Sequence, residues 1–265
     1  MPNRGLVTPA DRAVAGDPFE TDPGPATRAW PGVVVAHLLL VLWLFGGALV
    51  GGRLLYFRDL SSQYAPDYAF AAESLRHGVW PLWNPTSNAG EPMLLAYPVD
   101  VGLLLLAGAR APLGVGAALH LLLALTGASR LSRRLGMGPW GSWVAGAVYG
   151  LGGFVLSTVS LVQLFQAAAW APWVLSALLT AARRPDGRRA AILATLAALQ
   201  ASTLGAEIVL QTAVVGLVLL DGRTLARDRR RLCLVGAGAL CLSLSLAAPA
   251  LLGTRALLEG TERAR

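Results

Sequence analysis

The chain has no lysine, two cysteines and three histidines, and only 14% of its 265 residues are charged. A soluble domain carries charge at about a quarter of its positions, so a water-facing globular surface is excluded for most of this sequence. Cys233 and Cys241 stand eight positions apart in one apolar run. They cannot bridge each other along a helix, and no C-x-x-C spacing offers a redox or zinc motif. Both read as small buried hydrophobes. His37, His77 and His120 have no second ligand at metal spacing, so the signal for a histidine-based metal centre is weak. His37 and His120 lie in apolar runs and read as hydrogen-bonded packing residues. No repeat of solenoid period is present.

Apolar sequence fills the space left by charge: 55% of the residues are hydrophobic. Several runs reach the roughly 20 residues that a helix needs to cross a bilayer core of about 30 Å. Backbone groups in lipid must be satisfied within the segment, which favours helices. The short alternating strands of a β-barrel are missing. The expected fold class is all-α: a polytopic transmembrane bundle of about seven spans. The candidates are 31–52, 113–125, 140–158, 162–182, 190–204, 208–220 and 232–252, with a short re-entrant or interfacial piece at 99–109. Residues 1–30, rich in Pro, Gly and mixed charge, read as a disordered cytoplasmic tail. Residues 31–265 form the membrane domain, and 54–98 its first outer loop. Gly146 and Gly150 make a small-xxx-small pair suited to close helix packing.

All 22 basic residues are arginine, and the formal charge is +7. They gather in short loops between apolar runs, "SRLSRRLG", "ARRPDGRR" and "DGRTLARDRRR", so no nucleic-acid surface is implied. With the N-terminus inside, these loops all fall on the cytoplasmic side and most acids fall outside, as the positive-inside rule requires. A lysine-free composition rich in Ala, Gly, Leu and Arg points to a bacterial plasma (inner) membrane. The long polar loop then faces outward.

That loop, "RDLSSQYAPDYAFAAESLRHGVWPLWNPTSNAGEPMLLAYP", Arg58–Pro98, is where chemistry is expected. Asp59 follows the first helix directly, beside Arg58, Ser61, Ser62 and Gln63. A carboxylate held at the membrane–water boundary has its pKa lifted toward use as a general base; the plainer alternative is a helix cap or a pair with Arg58. "PDYAFAAESLRHG" reads as a helix lying on the membrane, with Pro66 in the first turn, Asp67 at the positive end and Gly78 at the stop. Tyr68, Ala71, Ala72 and Leu75 form its apolar stripe, and Glu73 and His77 pair at i, i+4. Trp80 and Trp83 suit an interfacial belt. With Asn84, Asn88 and Glu91 they also make an aromatic and amide surface suited to a sugar ring.

The loop resembles the first outer loop of the YfhO-like bacterial membrane proteins, which belong with the GT-C class of polytopic glycosyltransferases. The matching residues are Asp59, Gln63, Pro66, then Gly78, Pro81, Trp83, Asn84 and Pro85 as Gly-x-x-Pro-x-Trp-Asn-Pro, then Gly90 and Pro92. Weaker agreement continues in "SRLSRRLGMGPWGSWVAGAVYGLGGF", "QAAAWAPWVLSALL" and "TLGAEIVLQT". The resemblance implies transfer of a sugar from a polyprenyl-phosphate carrier to an acceptor at the outer leaflet. It carries the catalytic carboxylate onto Asp59, with Arg58 or Arg53 serving the departing phosphate. Gln63, Asp67, Trp83, Asn84, Glu91 and Glu207 are the candidate substrate-binding residues. Some members of the class use a divalent metal (Mg or Mn), which Asp59 and Asp67 would assist. Chains of the family run longer, so this one is expected to be an N-terminal portion or a short relative.

Glu207 lies at an outer turn near Gln200 and Gln211. An acid so close to lipid is a functional candidate, and its alternative is a surface carboxylate at a helix start. Gln163 and Gln166, at another outer helix end, are candidates to share one cavity with it. Two other functions stand beside the transferase: a transporter or lipid-carrier flippase, and a non-catalytic truncated relative that binds lipid carrier or a partner. A transporter favours charged or broken helices near the bilayer midplane, whereas these spans are almost free of charge.

Overall fold

The computed structural model describes residues 30–50, 58–87, 89–220 and 229–259. The expected tail and Arg53 lie outside them. The helices are α1 (Trp30–Val50), α2 (Ala65–Arg76), α3 (Pro98–Ala107), α4 (Ala117–Arg134) and α5 (Pro139–Gly150). They continue with α6 (Gly153–Ser157), α7 (Val162–Arg183), α8 (Gly187–Ser202), α9 (Ala206–Leu219) and α10 (Arg229–Glu259). Wide π-type turns at Leu60–Tyr64 and Pro112–Gly116 lead into α2 and α4. Proline opens α2, α3 and α5, where its missing N–H has no intrahelical partner to lose. The described strands are β1 (Trp83–Asn84) and β2 (Glu91–Pro92), paired antiparallel.

Five helical segments are long and apolar enough to cross a bilayer: Trp30–Gly47, Pro112–Arg134, Pro139–Ser160, Val162–Arg183 and Gly236–Gly253. This is a helical membrane protein with five such candidates, against the seven spans expected. The other two expected spans are helices, but α8 has 16 residues and α9 has 14. At 1.5 Å per residue each is shorter than a hydrocarbon core of about 30 Å. The 10-residue α3 is the short apolar piece anticipated after the loop.

α4 and α7 form the centre. Their spans are 61% and 72% buried, against 17% for those of α1 and α10. Leu121, Ala124 and Leu125 meet Ala167, Ala168 and Ala169 in a core with no solvent access. Small residues set these close approaches. A Cβ at Gly127 would fall 2.5 Å from the Trp173 indole nitrogen, and one at Gly150 would fall 2.7 Å from Leu125. Gly146 packs on Ser129 and the Leu125 carbonyl, so the Gly146/Gly150 pair is a packing device, as its spacing suggested. α1 leaves Val35, Leu39, Leu42 and Trp43 exposed, and α9 leaves Leu210, Leu217 and Val218 exposed. Patches of this extent call for lipid. Cys241 is exposed on such a face rather than buried, and the Cys233 side chain lies outside the description.

α4 and α7 run parallel: His120 meets Phe165, and further along Trp173 donates to the Leu123 carbonyl at 2.9 Å. The bundle therefore has two chemically distinct ends. At one, Arg134 lies close enough to Arg130, Arg183 and Arg189 to feel their charge. Arg130 stacks over Trp173 and Arg133 over Trp30. Asp186 caps α8 by accepting from the Arg189 N–H at 2.8 Å and pairs with its guanidinium. The other end carries the loop.

Candidate functional site

The loop helix forms as its sequence indicates. Tyr68, Ala71 and Ala72 are buried beneath α2. Gly78, at φ +71°, takes the left-handed position that closes the helix, its N–H and that of Val79 donating to Leu75 and Ser74. This is a Schellman-type stop, which glycine adopts without strain. Glu73 pairs with His77 at 3.0 Å and with Arg76 at 3.2 Å on the exposed face. These contacts hold the Glu73 carboxyl below its ordinary value.

Beyond the stop, the β1–β2 register places Asn84 opposite Glu91 and Trp83 opposite Pro92. Paired residues share a face and neighbours alternate. Asn84 is wholly buried whereas Trp83 is 55% exposed. The Trp83 indole lies across Gly90, where φ is +104° and a Cβ would stand 2.8 Å from the ring. The Asn84 carbonyl oxygen accepts from the Thr86 N–H (3.0 Å) and hydroxyl (2.7 Å), so its NH2 is directed at Asp67, to which it donates at 2.9 Å.

Between this loop, α3, the start of α7 and the α8–α9 turn lies a cavity of about 440 Å³. Asp67, Glu91 and Asp100 give it acid, Gln63, Asn84, Gln163 and Gln166 give it amides, and Tyr64, Tyr68 and Tyr97 give it aromatic rims. Ser202, Thr203 and Leu204 close it from the α8–α9 turn. Leu204 takes a left-handed backbone, φ +65°, an uncommon conformation for a branched side chain. Gly205 permits the turn to press on α7: a Cβ there would lie 2.8 Å from the Gln163 carbonyl.

Asp100 is the buried acid of the group, 4% exposed. It accepts from the Tyr68 hydroxyl at 2.5 Å and from the Gln166 amide at 2.8 and 2.9 Å. A carboxylate removed from water is tolerated only with such donors. Burial drives the Tyr68 hydroxyl well above its ordinary range, so it stays a donor. A second chain runs alongside: the Trp170 indole donates to Tyr97 (2.7 Å), whose hydroxyl meets His120 Nε2 at 2.6 Å, while His120 Nδ1 meets the Gly116 carbonyl at 2.6 Å. A carbonyl only accepts, so Nδ1 carries the proton and Nε2 accepts from Tyr97. His120 is the satisfied packing residue expected of it; His37 is satisfied only at Nε2, which meets the Trp143 carbonyl at 3.3 Å, while its buried Nδ1 has no hydrogen-bond partner among the described residues.

Asp67 is half-buried on the cavity wall. Burial raises its carboxyl above the ordinary value, the negative charge of Glu91 raises it further, and hydrogen bonds from Asn84 and Ser87 oppose both. A carboxylate tuned upward in a cleft has the properties of a general base.

The sequence-derived candidates divide. Gln63, Asp67, Asn84 and Glu91 share the cavity wall. Asp59 does not line it; it opens the first π turn, half-buried, without a side-chain capping bond. Its charge reaches Tyr64, a wall residue. Arg58 is exposed at φ +47°, and its carbonyl accepts the Ser61 and Ser62 hydroxyls at 2.9 and 3.2 Å, which uses those hydroxyls locally. Arg53 lies outside the described residues. Trp83 faces away, and Glu207 is exposed in the first turn of α9, where its charge suits the helix end. Gln163 and Gln166 do meet in one cavity, without Glu207. Gln200 instead ties α7, α8 and α9 together through the Ala167 carbonyl and Thr212.

Asp100 and Tyr97 went unnoticed as site residues in the sequence. A signal existed for the first: an acid inside the apolar run "VDVGLLLLA" is a functional candidate by default. Among the described residues, no group of three or more His, Cys, Asp or Glu is placed to hold a metal ion. Comparison with protein families, curated proteins and solved structures finds no match to this chain.

Proposed function

We propose that this protein is a bacterial plasma-membrane glycosyltransferase of the GT-C type, acting at the outer leaflet on a polyprenyl-phosphate-linked sugar. The observation that carries the reading is the cavity, in which one polar site holds acid, amide and tyrosine groups beside an otherwise lipid-facing bundle. Its chemistry matches a polyol: amides and carboxylates for hydroxyl edges, aromatic rings for apolar faces. The resemblance of the Arg58–Pro98 loop supports the same class, and that loop supplies much of the wall. The arginine-rich end supports a cytoplasmic N-terminus and an outward cavity. In this topology α8 and α9 complete the seven spans as short helices.

Within the reading, Asp67 is the base. The acceptor hydroxyl oxygen attacks the anomeric carbon, and the carbon–oxygen bond to the phosphate breaks. Asp67 takes the hydroxyl proton, the electron pair leaves with the polyprenyl phosphate, and the anomeric centre inverts. Asp59, outside the wall, acts at most through Tyr64. The test is turnover of a lipid-linked sugar in membranes bearing the wild type, Asp67→Asn or Asp59→Asn. Loss in the first variant with retention in the second is expected. The reverse pattern moves the base to Asp59.

A second reading is favoured by one observation: among the described residues no arginine lines the cavity, so a departing phosphate finds no cation on the described wall. On that reading the protein binds a carrier-linked sugar without transferring it. Saturable binding with no turnover in any variant would establish it.

A further inference from the structure

We infer that Leu204 is a specificity-determining residue, whose side chain packs on an apolar face of the ring held in the cavity. This rests on the sugar-site reading above. Leu204 follows α8 in the left-handed region, at φ +65°. The helices α2, α3 and α4 also end on positive φ, and there the residue is glycine each time: Gly78, Gly108 and Gly136. Glycine takes this conformation without strain, and a branched side chain does not. Among the described residues, leucine is therefore the exception at the one such helix stop that lines the cavity. The glycine beside it is committed elsewhere. A Cβ at position 205 would stand 2.7 Å from the Ala167 side chain and 2.8 Å from the Gln163 carbonyl, so glycine there lets the turn seat against α7.

Hydrogen bonds hold the backbone around Leu204. Gly205, at φ −77° and ψ 62°, forms an inverse γ-turn closed by the Ala206 N–H, which donates to the Leu204 carbonyl at 2.9 Å. The Thr203 hydroxyl donates to the Gln200 carbonyl at 2.7 Å, and the Ser202 hydroxyl to that of Leu199 at 2.9 Å. This frame does not require leucine, because glycine or asparagine holds the same helix stop with less strain. Packing does not require it either. Leu204 belongs to neither buried apolar cluster, the one around Leu121 and Phe165 or the one around Tyr68 and Leu95. Nor is it exposed as Leu210 and Leu217 of α9 are. It is half-buried on the cavity wall, the apolar member of a turn that otherwise contributes Ser202 and Thr203. Backbone strain held by a rigid surround gathers at ligand clamps. The face that leucine offers suits the C–H face of a sugar ring, whose hydroxyl edges meet the amides and carboxylates of the wall.

The full-length protein in lipid nanodiscs provides the test, by equilibrium titration with polyprenyl-phosphate-linked glucose, mannose and N-acetylglucosamine, and with the sugar-free polyprenyl phosphate. Leu204→Gly and Leu204→Asn keep the turn and remove the apolar contact. Both should bind the sugar-linked carriers about tenfold more weakly than the wild type, the scale of one lost apolar side-chain contact. Their unfolding midpoints should lie at or above the wild-type value. Leu204→Met, apolar and of similar volume, should recover most of the affinity. In turnover, Leu204→Gly should raise KM far more than it lowers kcat, the mark of lost ground-state binding, whereas Asp67→Asn lowers kcat. Wild-type affinity in Leu204→Gly overturns the inference. A lowered midpoint in that variant also overturns it, because the leucine then supports the fold. An equal loss for the sugar-free carrier overturns it by moving the contact to the prenyl phosphate, and failure of Leu204→Met to recover affinity does so by removing the apolar contact. Absence of saturable wild-type binding by every sugar-linked carrier removes the sugar-site reading and the inference together. Binding without transfer removes only the enzymatic reading.

Discussion

The two ends of the bundle are both charged and both close to lipid, yet they handle charge in opposite ways. At the arginine end, guanidiniums lie over Trp30 and Trp173, bond the Arg184 carbonyl or pair with Asp186. Their long stems let the charged heads reach water and headgroups. At the cavity end the acids sit on short side chains, and Asp100 is sealed beneath Tyr68 and Gln166. Arginine can be placed near lipid with few supporting contacts. A buried aspartate needs a built environment, and such investment marks a working site.

The sharpest way to break the comparison is to neutralise one charge at each end. Asp67→Asn should cut sugar transfer by about 10²–10⁴-fold, the usual contribution of a general base. Arg189→Gln should leave turnover unchanged, as measured with a lipid-linked donor in reconstituted membranes. Gln166→Leu comes next. It strips both carboxylate oxygens of Asp100 of their amide donor and should cost about 2–3 kcal/mol of stability, read as a lowered unfolding midpoint in detergent.

Packing offers a probe common to both ends. Gly150→Ala presses on Leu125 in the α4–α5 contact and should cost about 1–3 kcal/mol by overpacking. Gly205→Ala, which drives the α8–α9 turn off α7, should match it in stability and in addition weaken ligand binding. Asp186→Ala removes the α8 cap and should cost about 1 kcal/mol without changing turnover.

The finest test is pH. Burial holds the folded-state pKa of Asp67 above its unfolded value, so its acid limb in turnover lies above that of an ordinary aspartate. Stability linked to the group falls as pH rises through that raised value. Glu91→Gln removes part of the upward push and should move the acid limb of the pH–rate profile to lower pH.

Much of this organisation was legible in the sequence. The α2 helix followed from Pro66, the Tyr68–Ala71–Ala72 stripe and Gly78, because each acts within a single helical turn. The grouping of Gln63, Asp67, Asn84 and Glu91 was legible as a polar loop in an apolar chain. The separation of Trp83 from Asn84 was not, since it depends on a two-residue β register. Asp59 stood out in the sequence because of the loop motif and its place after the first helix, yet the π turn at Leu60–Tyr64 leaves it outside the wall. The break near Gly205 was legible too, with Leu204 and Gly205 in the turn between α8 and α9; what the sequence left open is whether helices of 16 and 14 residues span.

The amino-acid sequence by itself determined the helical membrane class, the arginine-rich side and the polar loop, because bilayer thickness and charge placement act on composition and segment length. Only the tertiary structure decided which acids line one cavity. Asp67 and Asp100 lie 33 positions apart on different helices, and Gln166 a further 66 along. They meet because α4 and α7 carry small residues on their contact faces and so let the loop, α3 and the α8–α9 turn close around one polar space.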